Sequence, residues 1–279
     1  MDAVLVSIDF EGLPYVVSRL QLGPEGRLWS EARRVALRLV RVVAERILER
    51  GYSVVVADSH GLMVNIDGSG LPRGVALVSG FPRTPPSMVP LVEGVVTAVF
   101  LGYHAGSGVY SVLAHTYAGR YVLEIRVNGV RASEFLLNAM YLGEKGVPVG
   151  LVAGSEELMG EVERFTPWAE RVVLKKSLGY HAAISPPLPE IEERLSEAVS
   201  RMLVKLERGV LRPLEPSRPV HLEIVHTSPF YAEVTSLIPG ARRKNPVTVE
   251  LRTDSMEEAL RLLELALYAW IGARSITGG

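Results

Sequence analysis

Three short segments of this 279-residue chain set carboxylates and imidazoles just beyond apolar runs: Ser7-Ile8-Asp9-Phe10-Glu11-Gly12, Asp58-Ser59-His60-Gly61 and Gly102-Tyr103-His104-Ala105. In an α/β sheet, ligands collect past the ends of strands, so polar residues there are the first to test for chemistry. The period of two along an extended segment puts Asp9 and Glu11 on the same side. Two carboxylates and two imidazoles make a ligand set that suits Zn²⁺, Mn²⁺ or a similar divalent ion. A shared carboxylate can bridge two such ions roughly 3.5–4 Å apart, and the pair activates water and polarises a carbonyl or phosphoryl oxygen. Gly12, Gly61 and Gly102 would let the backbone turn sharply and come close to the ions. Each segment alone reads more readily as a solvated strand end or a turn with a satisfied histidine. Their joint occurrence after separate buried runs is what points to a site.

Further residues bear on this set. Asp58 shares the side of His60, and a partner that orients the imidazole is its expected role, with direct ligation as the alternative. His115 lies eleven residues beyond His104 across a small segment that could swing it back over the metals. A non-ligating imidazole there suits acid/base or nucleophilic work, against the plainer reading of a strand histidine. Glu124 and Glu134 compete for a fifth ligand place, and the exposed-looking hairpin around Glu124 favours Glu134.

The elements that must position these residues follow from the apolar pattern. Strands are expected over 3–8, 53–57, 75–78, 95–101 and 147–153, with helices over 29–50, 133–143 and 155–164. Ser133 is a suitable N-cap, with Glu134 in the first turn. Residues 121–127 followed by Asn128-Gly129 read as a hairpin with a tight turn. The fold class expected is α/β, a mostly parallel sheet with flanking helices that carries the metal site, plus a smaller C-terminal α+β subdomain. The proline run from Ser185 to Pro189 cannot continue a helix and suggests two units, 1–187 and 188–279. The second unit opens with an amphipathic helix carrying Ile191, Leu195, Ala198, Met202 and Leu206, alternates around Val220–Ile224 and Val247–Leu251, and closes with a helix through Trp270.

With 30 Lys+Arg against 31 Asp+Glu the net charge is -1, so no global basic field gathers nucleic acid or anionic membrane. The absence of cysteine leaves only imidazole and carboxylate ligands for a metal. No apolar run reaches the roughly 20 residues of a membrane helix, and the first residues lack the pattern of a signal peptide, so a cytoplasmic location is expected.

The motifs Ser7 to Gly12, Asp58-Ser59-His60, Gly102-Tyr103-His104-Ala105, His115 and Ser133-Glu134-Phe135-Leu136-Leu137-Asn138 together resemble the D-aminopeptidases, a family of dinuclear zinc peptidases. The resemblance runs over nearly the whole chain. It implies two Zn²⁺ per subunit held by Asp9, Glu11, His60, His104 and Glu134, with Asp9 as the bridge, His115 as the catalytic histidine, and assembly into a homo-oligomer. The expected activity is release of N-terminal amino acids, D-residues by the resemblance, from short peptides or aminoacyl amides. Pocket shape decides chirality. The alternatives are a dinuclear metal phosphoesterase, which should add cations that none of the motifs has beside it, and a non-catalytic metal-binding assembly protein. Gly179-Tyr180-His181-Ala182 repeats the tetrapeptide around His104 but follows the polar Lys175-Lys176-Ser177, and is expected outside the metal site. His221 and His226 are expected at the surface, and Arg242-Arg243-Lys244 in a solvated loop.

Overall fold

A computed structural model describes residues 2–90 and 93–277. The chain runs β1 (Ala3–Ile8), α1 (Trp29–Leu48), β2 (Ser53–Asp58), β3 (Val75–Val78), β4 (Val95–Tyr103), β5 (Val122–Val127), β6 (Val130–Arg131), α2 (Glu134–Glu144), β7 (Val149–Ser155), α3 (Met159–Phe165) and β8 (Glu170–Gly179). It continues through β9 (Ala182–Ile184), α4 (Leu188–Glu207), β10 (Val220–His226), α5 (Pro229–Ser236), β11 (Arg242–Asn245), β12 (Thr248–Thr253) and α6 (Met256–Thr277). The larger sheet has the order β3-β2-β1-β4-β7-β8-β9 and is parallel except at the β8–β9 edge. The smaller sheet, β11-β12-β10-β5-β6, is antiparallel. The expected α/β class, a mostly parallel sheet with flanking helices and a smaller second sheet, describes the molecule.

Every residue of β1 is buried, as in a parallel strand covered on both faces. Val4, Val6 and Ile8 pack toward the buried stripes of α1 and α4, while Ala3 and Leu5 pack toward α2, the smaller sheet and α6. Helix α4 lies on α1, tied by Arg46 Nε to Ser200 Oγ at 2.7 Å and by Arg50 to Glu207 at 2.8 Å. The smaller sheet draws β5 and β6 from before the 187/188 line and the rest from after it.

Several elements differ from the expectation. Strands β8 and β9 and helix α5 are additional, and Arg242-Arg243-Lys244 forms the exposed edge strand β11 instead of a loop. An edge strand can carry charge on both sides because one flank faces water, so its sequence reads as a loop. His226 is fully buried, not at the surface. It shares the period-two side of Val220, Leu222 and Ile224, which is the core face of β10. There its Nδ1–H donates to the Tyr121 carbonyl at 3.2 Å, with Thr235 Oγ1 3.1 Å from Nε2, and burial pushes it down to about 4. His221 is exposed.

Candidate metal centre

The C-terminal ends of β1, β2 and β4 lie side by side, since β1 sits between the other two. Gly12 N–H donates to the Gly102 carbonyl at 2.7 Å, so the chain leaving β1 folds across the end of β4. The crossing is tight enough that a Cβ at Gly12 would stand 1.8 Å from the Tyr103 carbonyl oxygen, and one at Gly102, where φ is +73°, 2.0 Å from that of Asp9. Only glycine allows both. Glu134 arrives from the first turn of α2, whose N-cap Ser133 accepts from Leu136 N–H at 3.3 Å, and Tyr117 N–H donates to Glu134 Oε1 at 2.6 Å.

The structure brings Asp9, Glu11, His60, His104, His115 and Glu134 together. Two triads each offer ligand atoms within 4.8 Å of one another: Asp9, Glu11 and His60, and His104, His115 and Glu134. Asp9 reaches both, with Oδ1 3.1 Å from His60 Nδ1 and Oδ2 3.4 Å from His104 Nε2. His60 Nδ1 is also 2.8 Å from Glu11 Oε2, and His104 Nε2 is 3.5 Å from Glu134 Oε2. His115 Nε2 stands 3.6 Å from Glu134 Oε1 and 3.9 Å from Glu11 Oε1. Its ring stacks on His104 with centroids 4.5 Å apart.

Each imidazole is anchored on its far side by a backbone carbonyl. His60 Nε2–H donates to Leu22 at 2.6 Å, His104 Nδ1–H to Ala105 at 2.9 Å and His115 Nδ1–H to Leu113 at 3.0 Å. The nitrogen left facing the carboxylates then carries a lone pair, which suits a cation or a proton between them. Asp9 Oδ2 and His104 Nε2 are buried without a hydrogen-bond partner, and Glu11 Oε2, although 2.8 Å from His60 Nδ1, is not aligned for a hydrogen bond with it, an arrangement that a divalent ion would satisfy. The donor set therefore fits the metal implied by the sequence.

The electrostatics agree. Burial, and then the charge of Glu11, pushes Asp9 up. Burial works against ionised Glu11 as well, but His60, His115 and His104 outweigh it and hold that carboxyl well below its ordinary range. Burial lowers both His60 and His104, yet Glu11 and Asp9 lift His60 well above an ordinary imidazole, and Glu134, Asp9 and Glu11 raise His104 to about 9. Glu134 is lowered because His104 and His115 overcome its burial.

Other expectations sort differently. Asp58 does not touch the His60 ring; its carboxylate accepts from Asn65 Nδ2 at 2.9 Å and Ile66 N–H at 2.9 Å, shaping the turn that carries His60. Asn65 Nδ2 also donates to the His60 carbonyl at 2.7 Å, a role that nothing in its sequence context signals. Glu124 pairs with Arg126 and Arg131 on the smaller sheet. The site opens into a cavity of about 650 Å³ lined by Asp9, Glu11, His60, His115 and Glu134. Arg19 and Arg120 line it too, although they stand outside the motifs, and so does Tyr180 of the repeated tetrapeptide. His181 is exposed, 3.0 Å from the Val17 carbonyl.

A mostly parallel α/β sheet whose strand ends gather carboxylates and imidazoles at the floor of a cavity is the build of a metal-dependent hydrolase. A D-aminopeptidase family model matches residues 3–265, and the chain belongs to that family. It is 28% identical over 270 residues to a D-aminopeptidase of Bacillus subtilis (strain 168), spanning 94% of this chain and 97% of that protein. The fold matches the solved structure of the Zn-dependent D-aminopeptidase DppA from Bacillus subtilis, a self-compartmentalizing protease, with a TM-score of 0.90 at 25% identity, covering 96% of this chain and 97% of that one.

Proposed function

We propose that this chain is a zinc-dependent aminopeptidase that removes N-terminal D-amino acids from short peptides or aminoacyl amides at a site for two metal ions. The observation that carries the reading is the pair of adjoining triads with buried, unpartnered ligand atoms, joined through the two oxygens of Asp9. Asp9, Glu11 and His60 would hold one ion, and Asp9, His104 and Glu134 the other. Bound there, the ions would polarise the scissile carbonyl and lower the pKa of an attacking water.

The chain's own residues supply the rest. His115 stays outside the ligand set in this reading. Its Nδ1–H is taken by the Leu113 carbonyl, so Nε2, at the cavity wall, is the atom that accepts or returns the proton of the attacking or leaving group. Leu22, Ala105 and Leu113 hold the three rings in fixed tautomers. The cavity volume suits a short peptide. The same reading includes a homo-oligomer, supported by the relative described as self-compartmentalizing, and a cytoplasmic location. Among the described residues no helix is long and apolar enough to cross a membrane.

A dinuclear phosphoesterase would use the same ligand set, and Arg19 and Arg120 in the cavity wall are cations of the kind it would add for the phosphoryl oxygens. A panel of D- and L-aminoacyl amides and a phosphodiester, assayed with metal-stripped and zinc-reconstituted protein, separates the readings. Zinc-dependent turnover of the D-amides alone is expected. Turnover of the phosphodiester alone would replace the proposal.

A further inference from the structure

Lys175 lies in β8 opposite Ser155 of β7, and its side chain is fully buried. The neighbouring buried residues of that strand, Val172 and Leu174, are apolar. No carboxylate pairs with Lys175 among the described residues. Its Nζ donates instead to the carbonyls of Glu11 and Val16. No other donor among the described residues reaches either carbonyl. A buried amine without an anionic partner is a large cost to a fold whether charged or neutral, and an apolar side chain of the same length would avoid it. The two carbonyls it serves bracket the arc of chain that leaves β1, crosses the end of β4 and aims the Glu11 carboxylate at His60 and His115. Lys175 is not among the residues lining the cavity; its contacts fall on the back of that arc, behind the Glu11 carboxylate.

We propose that Lys175 is the positioning residue of the metal pair: by gathering the Glu11 and Val16 carbonyls it fixes the loop that presents Glu11 as a ligand. The proposal rests on the reading of Glu11 as a metal ligand. Outer partners that orient a ligand characteristically change metal affinity by about 10- to 100-fold when removed. Lys175→Met keeps the length of the side chain and removes its donors; Lys175→Gln keeps a donor at shorter reach and serves as the second variant should the methionine not fold. Both are compared with Glu11→Gln and with the Lys175/Glu11 double variant by zinc competition against a chromogenic chelator, with melting of the metal-free proteins in parallel. The expected result is zinc affinity lowered about 10- to 100-fold by Lys175→Met, less by Lys175→Gln, and no further loss when Lys175→Met is added to Glu11→Gln. A variant that melts lower yet binds zinc within twofold of the wild type shows a lysine that serves only the fold and overturns the proposal. Additive losses in the double variant overturn it as well. Should Glu11→Gln itself leave zinc affinity unchanged, the ligand reading falls, and the proposal with it.

Discussion

Zinc binding to the metal-free protein should displace two to three protons per chain near neutral pH. The perturbation is the addition of zinc, and the protons are those that hold the carboxylates and imidazoles together beforehand. With His104 raised to about 9, roughly 99% of that imidazole is protonated at pH 7. His60 is raised well above its ordinary range and adds a second proton, and Asp9, pushed up to about 7, is about half protonated there and adds part of a third. These protons must leave before the groups can bind a metal, so the overall affinity should rise about 100- to 1,000-fold per pH unit between pH 6 and 8, tenfold for each proton. Titration calorimetry in buffers of different ionisation enthalpy reads this as a slope between two and three. A slope below one would refute the reasoning, because the imidazoles would then be neutral in the metal-free site. Stability of the metal-free protein carries the matching sign. A folded-state value above the ordinary 6.5 means that the contribution of His104 is whole below pH 6.5 and is lost as pH rises toward 9.

Three further outcomes follow from the same geometry. Gly102→Ala should abolish accumulation of folded protein or cost several kcal/mol in denaturant melts, because the new Cβ meets the Asp9 carbonyl oxygen at 2.0 Å on a backbone with φ of +73°; a melt within about 1 kcal/mol of wild type would show that the crossing can relax. Acetylating the amine of an aminoacyl amide substrate should remove turnover, as read by product release, since the reading requires a free N-terminus; equal rates with and without the acetyl group would indicate a general amidase. Light scattering should give a stable homo-oligomer at micromolar concentration, and a fully active monomer would count against any role for assembly.

The core of the site was legible because its chemistry sits where an α/β sheet must put it. Asp9, Glu11, His60 and His104 each follow an unbroken apolar run, and the buried strands β1, β2 and β4 end within reach of one another. Glu134 was legible from its place behind a capping serine, although the choice over Glu124 needed the family resemblance. The cavity wall was not legible. Arg19 comes from a single 3-10 turn, and Arg120 and Tyr180 from turns, none of whose sequences carries a periodicity, and the fold alone gathers them. Strand β8 was hidden because Lys175-Lys176-Ser177 looks solvated, whereas Lys175 points inward to two carbonyls. His226 was misread although its alternation with Ile224 already put it on the apolar face. Asn65 and the Leu22 carbonyl, which set the turn and ring of His60, act through backbone geometry that residue types do not encode.

The most direct test of the two-metal account is the zinc content of His115→Ala against that of His104→Ala, followed by activity on a D-aminoacyl amide. The geometry groups His115 with His104 and Glu134, so its separation from the ligands is the claim most exposed to test. The account predicts two zinc ions per chain in His115→Ala with kcat lowered by roughly 10² or more. For His104→Ala it predicts that zinc affinity and activity fall together and recover in part with excess zinc. If His115→Ala loses zinc as His104→Ala does, His115 is a ligand and the assignment of the proton-handling role is wrong.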